Sequence, residues 1–103
     1  MAVKSQDETV ALAETFRALG HPLRLRVLRL AREGVKLSAS KLEPSLPDET
    51  LGTISYHVRT LSGAGLLRKA GQVPHRGAIE QLYVLSPRGL RVQSAVEKLT
   101  GVV

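Results

Sequence analysis

The 103-residue sequence has no cysteine and no tryptophan, and its only aromatic residues are Phe16, Tyr56 and Tyr83. Without cysteine there is no disulfide framework, no thiolate metal site and no thiol nucleophile. With so few aromatics, the core must be built from Leu, Val, Ile and Ala. No apolar run approaches the ~20 residues of a membrane span, and the opening MAVKSQDETV lacks the continuous apolar segment of a secretory signal. A cytoplasmic protein without a membrane partner is expected. The catalytic signatures are missing too: no phosphate-binding loop, no G-x-S-x-G elbow, no glycine-rich dinucleotide fingerprint. The paired carboxylates Asp7–Glu8 and Asp48–Glu49 each lie beside an expected helix start, where the helix dipole already favours acids. Neither an enzyme nor a cofactor is implied. No repeat, low-complexity tract or linker divides the chain, so one domain over 1–103 is expected.

Acidic residues are scarce in one region. Residues 1–50 carry eight basic and seven acidic groups, whereas residues 51–91 carry six basic groups against Glu80 alone. The formal charge of +6 is therefore concentrated in the C-terminal half. A basic half suits a polyanionic partner, although a basic protein with no nucleic-acid role has the same composition.

Turn and capping residues divide the chain into short elements. Ser5 and Glu8 have capping-box spacing, and Leu12, Phe16 and Leu19 follow on one helical face up to Gly20. Pro22 suits the first turn of a second helix carrying Leu23, Leu25, Val27, Leu28, Leu30 and Ala31, with Gly34 closing the segment. Ser38 fits the N-cap of a short third helix that ends before Pro44. A fourth helix is expected from about Thr50 to Ala64, stopped by Gly65. Leu66–Ala70 and Ile79–Leu85 have strand character, and GQVPHRGA links them as a basic turn. Ser86 and Pro87 begin a fifth helix with Leu90, Val92, Ala95, Val96 and Leu99. The order α-α-α-α-β-β-α predicts a mainly α protein with a small β-hairpin, a winged helix-turn-helix.

The fourth helix carries the functional signal. With Ile54 at 0° and 100° per residue, Leu61 falls at about −20°, Val58 at about 40° and Leu51 at about 60°, an inward apolar face. Gly52, Thr53, Tyr56, Arg59 and Thr60 gather on the opposite side, Ser55 lies on the border, and His57 lies near the buried edge. Hydroxyls, a phenol and a guanidinium without a carboxylate suit a DNA major groove, since Arg can grip guanine and Ser, Thr and Tyr can reach bases or phosphates. Helix-turn-helix docking brings N-terminal residues to the bases, which selects Thr53, Ser55 and Tyr56 as base readers, with Arg59 on base or phosphate. His75 and Arg76 at the hairpin tip could lie along the backbone or enter a minor groove. His57 is either partly packed or phosphate-facing. An ordinary solvated amphipathic helix has the same periodicity.

The blocks GHPLRLRVLRLAREG, LSASKL, LGTISYHVRTLSGAGLL and RGAIEQLYVLS resemble, in order and spacing over residues 10–86, the ArsR-like winged helix-turn-helix family of prokaryotic repressors. The resemblance implies a homodimer joined through the first and last helices, a recognition helix at about 51–64 and a wing within 66–85. It also implies a last helix at about 87–100 and a repressor bound to an inverted-repeat operator in double-stranded DNA. The Leu90, Val92, Val96 and Leu99 set suits such a dimer, or equally the core of one subunit. The family's metal-sensing residues cannot be carried over: SASKLEPSLPDET has no cysteine, and PRGLRVQSAVEKLTGVV has no histidine and only Glu97 as an acid. His21, His57 and His75 fall on an interhelix joint, the fourth helix and the hairpin without ligand spacing, so no metal is expected. Two other functions fit these elements. One is a protein-interaction module that has lost DNA binding, and the other is a non-specific architectural DNA protein.

Overall fold

The computed structural model describes the backbone of residues 2–101 and the side chains of residues 7–101. Its elements are α1 (Ala2–Ala18), α2 (Pro22–Leu30), α3 (Ala39–Leu42), a 3₁₀ turn (Glu43–Ser45), α4 (Leu51–Gly63), β1 (Leu67–His75), β2 (Ala78–Leu85) and α5 (Pro87–Thr100). This is the expected winged helix-turn-helix order.

Local chemistry explains most boundaries. Pro22 opens α2, and the His21 ring caps it by accepting the Leu23 N–H at Nδ1, 3.1 Å away. Ser38 caps α3 through the Lys41 N–H, and Thr50 caps α4 through the Thr53 N–H. The end of α4 is a Schellman motif: the Leu66 N–H donates to the Leu61 carbonyl and the Gly65 N–H to that of Ser62, with Gly65 at φ +80°. Gln93 on α5 donates to the Leu28 and Ala31 carbonyls, satisfying the C-terminus of α2 from across the core.

Several expectations are corrected. The α1 backbone is helical from Ala2, so Ser5 lies within the helix rather than at its cap, and its side chain lies outside the described residues. The third helix does end at Leu42, before Pro44, but the chain then continues into a 3₁₀ segment whose first turn tolerates that proline. The segment GQVPHRGA is mostly strand. Pairing runs from Leu67↔Leu85 to His75↔Ala78 and leaves only Arg76 and Gly77 as the turn. Both have positive φ, 52° and 79°, the pattern of a type I′ hairpin turn. A register shift between Lys69 and Gln72, with Gly71 at φ +116°, marks a bulge.

The core is aliphatic. Leu23, Val27 and Leu28 of α2 meet Ile54, Val58 and Leu61 of α4, closed by Leu42, Leu46, Leu66, Leu67, Leu85 and Val96. The α5 apolar set divides: Val96 is buried and Leu90 and Val92 pack against the core, whereas Leu99 is 86% exposed. Leu12 and Phe16 of α1 are also exposed, and Leu51, expected to face inward, is 42% exposed at the first residue of α4. One polar hub is buried near the core. The Ser86 hydroxyl donates to the Gly65 carbonyl at 2.6 Å and accepts the Gly89 N–H at 2.9 Å, joining the end of α4 to the start of α5.

Close approach at this joint fixes residue 89. A Cβ on Gly89 would stand 2.0 Å from the Leu66 carbonyl oxygen, whereas one on Gly52 would meet nothing within 4 Å. Gly89→Ala should therefore destabilise the fold by about 1–3 kcal/mol or more through overpacking of backbone. Gly52→Ala, equally helical, should be neutral or stabilising by up to about 1 kcal/mol. Urea unfolding of both variants checks the contrast in sign.

Candidate functional site

With Ile54, Val58 and Leu61 at 0–1% exposure, α4 presents its other side outward. Tyr56 and Arg59 are exposed on it, and Thr53 and Ser55 are half-buried. The Thr50 hydroxyl donates to that of Thr53 at 2.8 Å, leaving the Thr53 proton free to point away from the protein. Thr60 instead donates its hydroxyl to the Tyr56 carbonyl and lines a smaller depression beside Arg17 and Arg24. It faces a different side from the rest of the set.

Four of the expected residues share one feature. Ser55 and Arg59 of α4 and His75 and Arg76 of the hairpin line a cleft of about 680 Å³ between helix and wing. Lys41 of α3 and Gln81 of β2 line it as well, and sequence reasoning passed over both. The signal for Lys41 was available, since it is the only base on the helix preceding the turn. Leu51 and Ile79 supply apolar walls, which gives exposed Leu51 a place outside the core.

Two acids line the cleft, exposed Glu43 and Glu80, and Glu80 is tied to the protein. Both oxygens of Glu80 lie within 2.8 Å of the Ser40 hydroxyl, the Ser40 N–H donates to Oε1 at 3.1 Å, and His75 Nδ1 is 3.8 Å from Oε2. Burial opposes its charge. Hydrogen bonds from Ser40 and Ser38 and the charge of His75 outweigh that and hold the carboxyl below its ordinary value.

His57 departs from the outer group. It is only 6% exposed and turned inward, with its ring centroid 4.3 Å from that of His21. The packed alternative therefore describes it, and a phosphate contact would require the ring to swing out. The two histidines, far apart in sequence, meet where α2 begins against α4. Because His21 Nδ1 accepts from a backbone amide, its proton sits on Nε2 in the neutral ring. His57 Nδ1 and Arg24 Nε are buried without a hydrogen-bond partner. Among the described residues no group of three side chains could hold a metal ion.

The comparisons agree with this architecture. The family described as "Helix-turn-helix domain" matches residues 19–70, from the end of α1 into β1. The chain belongs to that family. Its fold resembles reduced HlyU of Vibrio cholerae, with TM-score 0.73, 18% identity, and 93% of this chain and 95% of that one covered. A PadR-family transcriptional regulator from Eggerthella lenta gives 0.63 at 25% identity, covering 96% and 88%. An ArsR-like transcriptional regulator from a Rhodococcus species gives 0.60 at 24%, covering 92% and 83%. No curated protein matches the chain. The last two neighbours are named as regulators rather than enzymes. No helix among the described residues is long and apolar enough to cross a membrane.

Burial, followed by the electrostatic influence of the neighbouring His21 and Arg24 side chains, lowers the His57 pKa from 6.5, against a smaller opposing effect of Glu49. The unfolded chain thus takes up this proton before the folded one does. Stability contributed by neutral His57 is complete above pH 6.5 and is lost as the pH falls toward the lower folded value. Urea unfolding at pH 7.5 and pH 5.5 should show this loss in the wild type, and a smaller one in His57→Gln.

Proposed function

We propose that the protein is a sequence-specific transcriptional regulator that binds double-stranded DNA through α4 and the wing. The observation that carries this reading is the outward set Thr53, Ser55, Tyr56 and Arg59, continued across the cleft by His75 and Arg76, with the hairpin's only acid, Glu80, held by hydrogen bonds from Ser40. In a major groove, Thr53, Ser55 and Tyr56 reach base edges, Arg59 grips guanine or a phosphate, and Thr60 supports the flanking backbone. The wing tip lies along the neighbouring phosphates or in the minor groove. The regulator works as a homodimer on an inverted repeat, its two recognition helices about 34 Å apart. Its mode is repression, at chromosomal DNA in the cytoplasm. Exposed Leu12 and Phe16 on α1 and Leu99 on α5 supply the apolar surface for the dimer, each worth up to about 1.5–3 kcal/mol if fully covered. The regulator names of the neighbours and the family resemblance support the same function.

Selection of bound duplexes from a random pool, followed by footprinting, tests the function. An enriched inverted repeat is expected; no enrichment over input would leave a winged-helix protein-interaction module, and uniform salt-dependent binding an architectural DNA protein. On the selected duplex, Arg59→Ala should cost about 1–3 kcal/mol and relax preference at one base pair.

Arg76 separates binding from stability. Its left-handed conformation (φ 52°) costs roughly 1–2 kcal/mol that Asn would largely avoid. Arg76→Asn should therefore stabilise the protein to heat while weakening duplex binding. A Phe16→Glu variant should sediment as a monomer at micromolar concentration, where the wild type sediments as a dimer.

A further inference from the structure

Glu80 presents a problem in electrostatics. It is the single acid in residues 51–91, and it lines the same cleft as Lys41, Arg59, His75 and Arg76. A carboxylate facing a polyanion lowers affinity, and removing it would raise duplex binding if charge were its only property. Its hydrogen bonds give it another role. The wing is held to the rest of the fold near its base by a bridge between Leu37 and Tyr83, each N–H donating to the other's carbonyl at 2.8 Å. The next fixed point toward the tip is the Glu80 carboxylate, clasped by the Ser40 hydroxyl and N–H at the start of α3. At about 3.4 Å per residue, the hairpin beyond Tyr83 would project roughly 20 Å to its turn, and beyond Glu80 only about half that distance. The two-stranded ribbon is anchored along one edge by residues 37–40, which also carry the cap of α3.

We infer that Glu80, clasped by Ser40, is a positioning residue that fixes the offset of the wing tip from α4 and so sets the sequence selectivity of duplex binding. The inference rests on the DNA-reading function proposed above. Selectivity needs Arg59 and Arg76 to engage one duplex at the same time in a single register, and each is carried by a different element. With the clasp intact, a duplex that seats α4 in the major groove meets the tip at a set distance along its backbone. With the clasp broken, the tip swings on the Leu37–Tyr83 bridge and meets phosphates of any sequence. The charge of Glu80 is then the cost of selectivity and not an aid to affinity.

The test compares wild type, Glu80→Ala, Glu80→Gln and Ser40→Ala on two duplexes, the one selected from the random pool and one of random sequence, at fixed salt. The clasp predicts that Glu80→Ala and Ser40→Ala each lower the ratio of selected to random affinity by about tenfold, the size of one base pair's discrimination. Random-duplex affinity should stay level in Ser40→Ala and stay level or rise in Glu80→Ala. Glu80→Gln, which keeps one acceptor oxygen, should recover part of the ratio. Faster hydrogen exchange at residues 72–81 in the two alanine variants should accompany the change, with the unfolding midpoint reporting whether each still folds. An equal rise on both duplexes in Glu80→Ala, with Ser40→Ala unchanged, would make Glu80 a bystander charge and overturn the inference alone. Parallel loss on both duplexes in every variant would make the clasp purely structural and would also overturn it. If the wild type shows no selected duplex, the inference falls together with the function on which it rests.

Discussion

The seating of α4 on α2 governs the rest of the molecule. Ile54, Val58 and Leu61 are almost wholly removed from solvent, and each such burial is worth roughly 1.5–3 kcal/mol. No contact on the outer side of the helix is of that size. The outer residues follow from the inner ones: once three aliphatic side chains fix the roll of α4 about its axis, Tyr56 and Arg59 must face out, and Thr53 and Ser55 lie on the flanks. A roll of one residue, ~100°, would expose the aliphatic stripe and is excluded by its cost. The histidine pair follows from the same seating. His57 stands on the flank facing the start of α2, so its ring is pressed against His21, and both perform structural work there.

The wing depends on the seating less directly. Gly65 ends α4 in a left-handed conformation and turns the chain straight into β1. Ser86 bonds back to the same corner from the other end of the hairpin. Helix and hairpin therefore share one rigid joint at residues 65–66 and 86–89, where Gly89 admits the Leu66 carbonyl. The two basic surfaces are set against each other at that joint, and the cleft between them is the space left over.

Legibility of the fold followed the range of the interactions. Pro22, Ser38, Thr50, Gly65 and Ser86 act within a few residues of themselves, and each marked its boundary in the sequence. The strand lengths were obscured because Val73-Pro74-His75 lacks a clear alternation and Pro74 reads as a loop residue beside the strand-forming Val73. In a two-stranded ribbon most of the backbone faces solvent, so a missing N–H there costs little. The apolar stripe of α1 was visible, but its exposure was not, because periodicity identifies a sticky face without naming what covers it. On α4, the outward position of Tyr56 and Arg59, with Thr53 on the flank, was legible from a single helical period. His21 with His57, and Ser40 with Glu80, are joined across 36 and 40 positions, and no local pattern announces contacts at that distance.

The central claim is that the outer side of α4 and the tip of the wing together form the surface that meets DNA. Amide resonances followed by NMR during titration with a stoichiometric selected duplex address it most directly. The account predicts that the largest shifts fall at residues 52–60 and 75–77, with Lys41 also affected and the inner face of α5 quiet. Shifts concentrated on α1 and α5, with Thr53, Tyr56 and Arg59 unmoved, would contradict it.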